Sequence, residues 1–237
     1  MRSFEIGHAK NVATFSELIS FVTAYGEVYN PAKASLELTA LKVMLKNGQK
    51  AIKEVNSNKA EHKAALSDRN KLFSPLSKLT TRVVNTLSVS DAPPDLIENA
   101  KTIARKLKGE RAVKINPNNT ETKHSSTSQM SFDNRVVNFE ALVLLLQSIP
   151  EYSPNEKDLQ VTTLVAMHKS MVDANNAVIL ANTNLSNARI TRNNVLYAPK
   201  TGMHATALDV KKYVKILFGT VSPKYKQISK LSFTAIL

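Results

Sequence analysis

The chain repeats itself at a fixed spacing, and no other feature narrows its fold so far. Tyr29, Pro31 and Leu36 return as Tyr152, Pro154 and Leu159. The offset of 123 then holds through Thr39/Thr162, Leu41/Leu164, Met44/Met167, Lys46/Lys169, Ala51/Ala174, Val55/Val178, Arg69/Arg192 and Asn70/Asn193. After one inserted residue, Phe73 and Pro75 answer to Tyr197 and Pro199. A repeat of this length implies two related units of roughly 100 residues. The shared residues are apolar, capping and turn residues, and few of them could do chemistry.

Within each repeat the apolar spacing is helical. Leu164, Met167, Met171, Ala174, Val178, Ala181, Leu185, Ala188 and Val195 recur in alternating steps of three and four, interrupted only by Arg192. That period of 3.5 predicts a helix lying along another helix. The first repeat places Leu41, Met44, Gly48, Ala51, Val55, Asn58, His62, Ala65, Arg69 and Leu72 at the same points. No Pro falls between residues 32 and 74 or between 155 and 198, so each repeat is expected to hold one helix of roughly 50–60 Å. The rival is a hairpin broken near Asn56-Ser57-Asn58 and Asn182-Thr183-Asn184; unbroken phase across those residues favours continuity. Met44, Met167 and Met171 read as core at this spacing.

Shorter amphipathic helices should flank the long ones. Thr14 and Glu17 have capping-box spacing ahead of Leu18, Ile19 and Val22, with Phe139, Leu142, Val143 and Leu146 as the counterpart. Asn30 and Ser153 stand as candidate caps before Pro31 and Pro154. Beyond Pro75 and Pro199 come Leu79, Val83, Val84 and Leu87, and Leu208, Tyr213, Val214 and Leu217; Pro94 and Pro223 open a last helix in each repeat. Only six Gly and nine Pro occur, which suits long helices better than many strands. The expected fold class is all-α: two tandem homologous helical bundles, each built round one long heptad-patterned helix, side by side or fused into one body. The boundaries read as a first repeat at 1–112, a polar Asn-, Ser- and Thr-rich linker at 113–133, and a second repeat at 134–237.

Composition excludes several classes. With no Cys there is no disulfide framework, thiolate zinc site or cysteine nucleophile, which fits a reducing cytoplasm. No secretory pattern opens the chain, and the run Leu142–Leu146 is far short of the ~20 residues a membrane helix needs. A soluble, cytoplasmic protein with no membrane association is expected. The five His (His8, His62, His124, His168 and His204) form no i, i+4 pair, and no phosphate-loop or di-iron pattern occurs. No catalytic residue, cofactor or metal ligand is assigned, and an enzyme is not expected.

Charge is the compositional oddity: +13 overall, split +7 and +6 between residues 1–112 and 113–237. Both repeats finish basic. Lys101, Arg105 and Lys108 share a face, joined by Lys106, Arg111 and Lys114; Lys211, Lys212, Lys215, Lys224, Lys226 and Lys230 form the later cluster. These are candidate sites for an acidic partner or polyanion, against the alternative of solvated faces that suit helix C-termini. Arg69 and Arg192 carry two readings as well. Their forked guanidiniums suit an anion, while a stem packed in the seam with its head on nearby carbonyls needs no ligand.

The segments Tyr152-Ser153-Pro154-Asn155-Glu156, Ala188-Arg189, Arg192-Asn193, Leu196-Tyr197 and Phe218-Gly219-Thr220-Val221-Ser222-Pro223-Lys224-Tyr225 resemble a group of bacterial tandem-repeat helical proteins of unknown function. The resemblance spans most of residues 130–233 and, more weakly, the first repeat. Its motifs are helix ends and turns, so it implies a fold and no activity. The expectation is a non-enzymatic scaffold or interaction protein presenting a basic helical surface to an acidic protein partner, or self-associating. The alternative is a non-specific nucleic-acid-binding accessory protein, which phosphate-driven salt dependence would reveal.

Overall fold

A computed structural model of the chain describes residues 7–110 and 130–235. Among them every regular element is a helix: α1 (His8–Ala24), α2 (Leu38–Phe73), α3 (Leu76–Ser88), α4 (Pro94–Lys108), α5 (Phe132–Gln147), α6 (Val161–Tyr197), α7 (Met203–Phe218) and α8 (Pro223–Ser229), with 3-10 turns at Gly26–Val28 and Ala34–Leu36. No described helix is long and apolar enough to cross a membrane.

The long helices α2 and α6, of 36 and 37 residues, run unbroken through Asn56–Asn58 and Asn182–Asn184. Such lengths are marginal without tertiary partners along a face. On α6, Leu164, Met171, Val178 and Leu185 are buried at intervals of seven. On α2, Leu41, Gly48, Ala51 and Val55 are buried, while Asn58, His62, Ala65, Arg69 and Leu72 are half-buried. The face is therefore drier in the first half of α2 than in the second, where polar residues replace aliphatic ones.

Several helix ends differ from their sequence expectations. α1 starts at His8, with Gly7 as an N-cap lacking a side-chain bond, so Thr14 is a buried mid-helix residue and not a cap. The extra turns are held from afar: Tyr197 Oη bonds His8 and Asn11, and Asn11 Nδ2 donates to Thr234 O at 2.7 Å. Asn30 and Ser153 cap nothing, because their loops run on for several residues before α2 and α6 begin. A phenol ties each loop instead: Tyr29 Oη donates to Leu36 O at 2.8 Å, and Tyr152 Oη to Leu159 O at 3.0 Å. Both phenols are buried and so need such a partner. Burial pushes both pKa values up, that of Tyr152 to about 12 with Glu156 and Asp158 adding to the effect. Residues 113–129 of the expected linker lie outside the described residues, and its end is helical. Ser131 caps α5 by accepting from Asn134 N, so Phe132 and Asp133 form the first turn of that helix.

α4 obeys the usual end rules. Pro94 opens it at a position where the missing N–H costs nothing, Asp95 sits in its first turn, and Arg105, Lys106 and Lys108 sit in its last. Gly109 closes it at φ 71°, where a side chain would be strained, and Glu110 N then reaches Arg105 O at 2.9 Å.

Two compact units result, and neither is a sequence repeat. The terminal unit takes the described residues through His62 together with Ala181 onward; the central unit is Lys63–Leu180. In the terminal unit α7 packs on α1 and α8, and Phe15, Leu18, Val22, Leu41, Leu196, Met203, Val210 and Ile228 share one core. In the central unit α4 packs on α3 and α5, and Phe73, Leu76, Leu87, Leu107, Phe139, Leu142, Leu164 and Met171 share the other. The packed bodies therefore do not follow the division expected at 1–112 and 134–237. The physical reason is the length of α2 and α6: the two ends of each pack with different short helices, so each repeat places its front half in one core and its back half in the other.

Gly48 marks a close approach inside the terminal core. A Cβ there would lie 2.5 Å from Met203 Cε and 3.3 Å from Val12 Cγ2. The answering position in the central unit carries Met171, which is fully buried.

Candidate functional site

The fold sorts charge in a way that the linear sequence does not. Described residues of the terminal unit carry 16 Lys and Arg against 6 Asp and Glu, an excess of +10. Those of the central unit carry 12 against 11, an excess of +1. The even split of the two repeats thus becomes a strong asymmetry, because α7 and α8 join the Lys-rich first half of α2.

Lys101, Arg105 and Lys108 do come together on α4, round a shallow depression of about 150 Å3 that also meets Thr81 and Asn85 on α3. They stand in the near-neutral unit, and each faces a carboxylate. Lys101 Nζ is 3.5 Å and Arg105 Nη1 3.7 Å from Glu98, and Lys108 Nζ is 3.7 Å from Glu110. Arg111 and Lys114 lie outside the described residues. Lys211 is structural: its ammonium donates to Ser229 O at 3.1 Å and Leu231 O at 2.6 Å, and burial lowers its pKa. Lys212 pairs with Asp209 at 3.6 Å, and Lys33 meets the same carboxylate at 2.8 Å, which holds Asp209 below the usual carboxylate range. Lys215 is exposed on α7.

A larger basic stripe is absent from the sequence reading above. Lys42, Lys46, Lys50 and Lys53 are all exposed on α2. Their spacing of i, i+4, i+8 and i+11 puts them on one face. Among the described residues only Lys50 has a near carboxylate, Glu54 at 3.8 Å. The signal was present as Lys spacing, but it runs down the polar side of a helix read for its apolar side.

Arg69 and Arg192 part company although they hold the same place in the repeat. In the central unit Arg69 stacks on Phe132, its Cζ 3.8 Å from the ring centroid, and Phe132 meets Phe73 edge-on at 4.9 Å. Arg135 Nη2 donates to Phe73 O at 2.9 Å. In the terminal unit His8, Tyr197 and Asn11 stand where Phe132, Phe73 and Arg135 stand in the other. Tyr197 Oη accepts from Asn11 Nδ2 at 3.0 Å and lies within hydrogen-bond distance, 2.9 Å, of His8 Nδ1. Burial lowers the His8 pKa, and the Arg192 charge lowers it further. Arg192 bonds Asn193 Oδ1 through Nε at 3.1 Å and Nη2 at 2.9 Å, and burial lowers its pKa.

Among the described residues no three His, Asp or Glu gather as metal ligands would. No protein-family model, no curated protein and no solved structure matches the chain.

Proposed function

We propose that the chain is an internally duplicated, non-enzymatic helical interaction protein whose terminal unit presents a basic face to an acidic protein partner. The observation that carries this reading is the excess of +10 in that unit against +1 in the other. A field of one sign raises encounter rates and sets orientation with an acidic surface. The exposed stripe Lys42, Lys46, Lys50 and Lys53 supplies a straight row of cations on a continuous helix. Duplication is supported by the repeat register and by the matched bonds of Tyr29 and Tyr152. Burial of Leu164, Met171, Val178 and Leu185 supports the heptad pattern.

An acidic protein is favoured over nucleic acid for two reasons. Among the described residues no aromatic side chain is fully exposed, so no platform stands ready for stacked bases. The candidate arginine Arg69, whose fork would suit phosphate, has its guanidinium against the Phe132 ring.

The test is binding of the purified, nuclease-treated chain to poly-L-glutamate and to single- and double-stranded oligonucleotides across about 50–300 mM salt. Poly-glutamate should bind, weaken with salt, and lose affinity when Lys42, Lys46, Lys50 and Lys53 become Glu. Changing Lys101 and Arg105 to Glu should matter far less. Failure of poly-glutamate to bind at the lowest salt ends the proposal, and oligonucleotides binding more than about tenfold tighter would replace it with the nucleic-acid reading.

A further inference from the structure

We infer that the cavity of the terminal unit bordered by the first turn of α1, by α2 and by α6 binds a small organic anion with an apolar body, a medium-chain or aromatic carboxylate. The site is independent of the Lys stripe and goes beyond the interaction role proposed above. Its volume is about 650 Å3, within the usual range for small-molecule sites. Arg192 and Lys10 are its cationic lining residues, His8 adds an imidazole, and Ala13, Ile52 and Val55 supply an apolar wall. No carboxylate lines it.

Arg192 is the anchor. Two of its N–H groups converge on the single oxygen of Asn193, and Nη1 makes no hydrogen bond among the described residues. A half-buried guanidinium without a counter-ion is costly, and a carboxylate accepting two parallel N–H bonds would offset that cost. The second observation is the contrast with the central unit. There the same arginine position is closed by an aromatic ring, with Phe132 lying against both Arg69 and Phe73. Here the ring is an imidazole drawn aside to Tyr197, and the guanidinium borders open volume. His8 lines the same cavity, and a bound anion would favour its protonated form.

Octanoate is the probe, titrated into the full chain by calorimetry and followed by amide shifts. Wild type should bind at submillimolar concentration, and octan-1-ol, of similar shape without the charge, should bind at least about tenfold more weakly. Arg192→Gln should weaken octanoate at least about tenfold. Ala13→Trp keeps every charge and fills the cavity from an exposed position, so it should abolish binding; it decides the matter even if Arg192→Gln lowers the melting temperature. Arg69→Gln and the Lys-to-Glu stripe variant should bind octanoate as wild type does, which separates this site from the basic face. The inference is overturned by any of three results: no octanoate binding up to about 5 mM, wild-type affinity in Ala13→Trp, or equal loss in Arg69→Gln.

Discussion

The two units hold the same arginine at the same place in the repeat and use it for opposite ends. In the central unit the Arg69 guanidinium sits over the Phe132 ring, 3.8 Å from its centroid. In the terminal unit Arg192 shares its corner with His8, Tyr197 and a cavity of about 650 Å3. Three substitutions separate the two corners: Phe132 against His8, Phe73 against Tyr197, and Arg135 against Asn11. The first two exchange an apolar ring for one that titrates or hydrogen-bonds, and the third removes a cation. Net charge follows the same division, +1 against +10. One body is thus mainly packing, and the other has a chemically differentiated surface and corner.

The largest effects should show where the units are alike. Phe15→Ala and Phe139→Ala remove fully buried rings at answering positions, and each should cost about 3–5 kcal/mol in urea unfolding. A cost confined to one of them would break the correspondence between the cores. Next comes a position where the cores differ. Gly48→Met imports the central unit's residue into a place already filled by Met203, and should cost about 2–3 kcal/mol, part of which Met203→Ala returns. Full tolerance of Gly48→Met would mean that the close approach is not maintained in solution.

Smaller effects sharpen the comparison at the loops and the corner. Tyr29→Phe and Tyr152→Phe each leave a carbonyl without its phenol, at Leu36 and Leu159, and should cost about 1–2 kcal/mol. Because the folded Tyr152 pKa is raised from 10.0 to about 12, its contribution is full below pH 10 and lost as pH rises through about 12. Tyr152→Phe should flatten that alkaline loss. His8 has the opposite sign. Its folded pKa is lowered from 6.5, so its neutral form contributes stability above that value, and the contribution is lost as pH falls through the folded-state value. The groups bearing on its ring are Arg192 and Tyr197, and Lys10 lines the same cavity. His8→Phe should remove this acid-side dependence, measured as melting temperature between pH 7 and 5, and a dependence unchanged in the variant would place its origin elsewhere. The smallest effect belongs to the exposed pair Arg82–Asp158 in the central unit: Asp158→Asn should change stability by less than about 1 kcal/mol.

Much of the helical content was legible because it is local. The stripe from Leu164 to Val195 announces α6, and Pro75, Pro94, Pro199 and Pro223 sit at element ends. Elements whose cause is remote were not legible. α1 reaches back to His8 because of Tyr197 and Thr234, nearly two hundred residues away or more, so a local capping pattern at Thr14 misplaced its start. Asn30 and Ser153 misled similarly, since the loop is tied by phenols whose acceptors lie seven residues on. The candidate site residues divide by the same rule. Shared faces such as Lys101, Arg105 and Lys108 follow from spacing alone. The inward turn of Lys211 onto the Leu231 carbonyl depends on where the end of α8 comes to rest. The corner round Arg192 escaped notice because His8, Asn11 and Tyr197 meet only once the front of one repeat has packed with the back of the other.

The shared ownership of the two cores bears on how the polypeptide can be divided. Neither repeat contains a whole folding unit: α1 has its packing partner α7 in the second repeat, and α4 has α5 there. A fragment ending at residue 110, expressed alone, would display two unfinished apolar surfaces and find relief only in aggregation or in another copy of itself. Supplied with residues 130–237, it could complete both. The covalent join between the repeats would then act as a tether that raises local concentration. Severed there, the protein would become a heterodimer whose melting point rises with the concentration of both pieces.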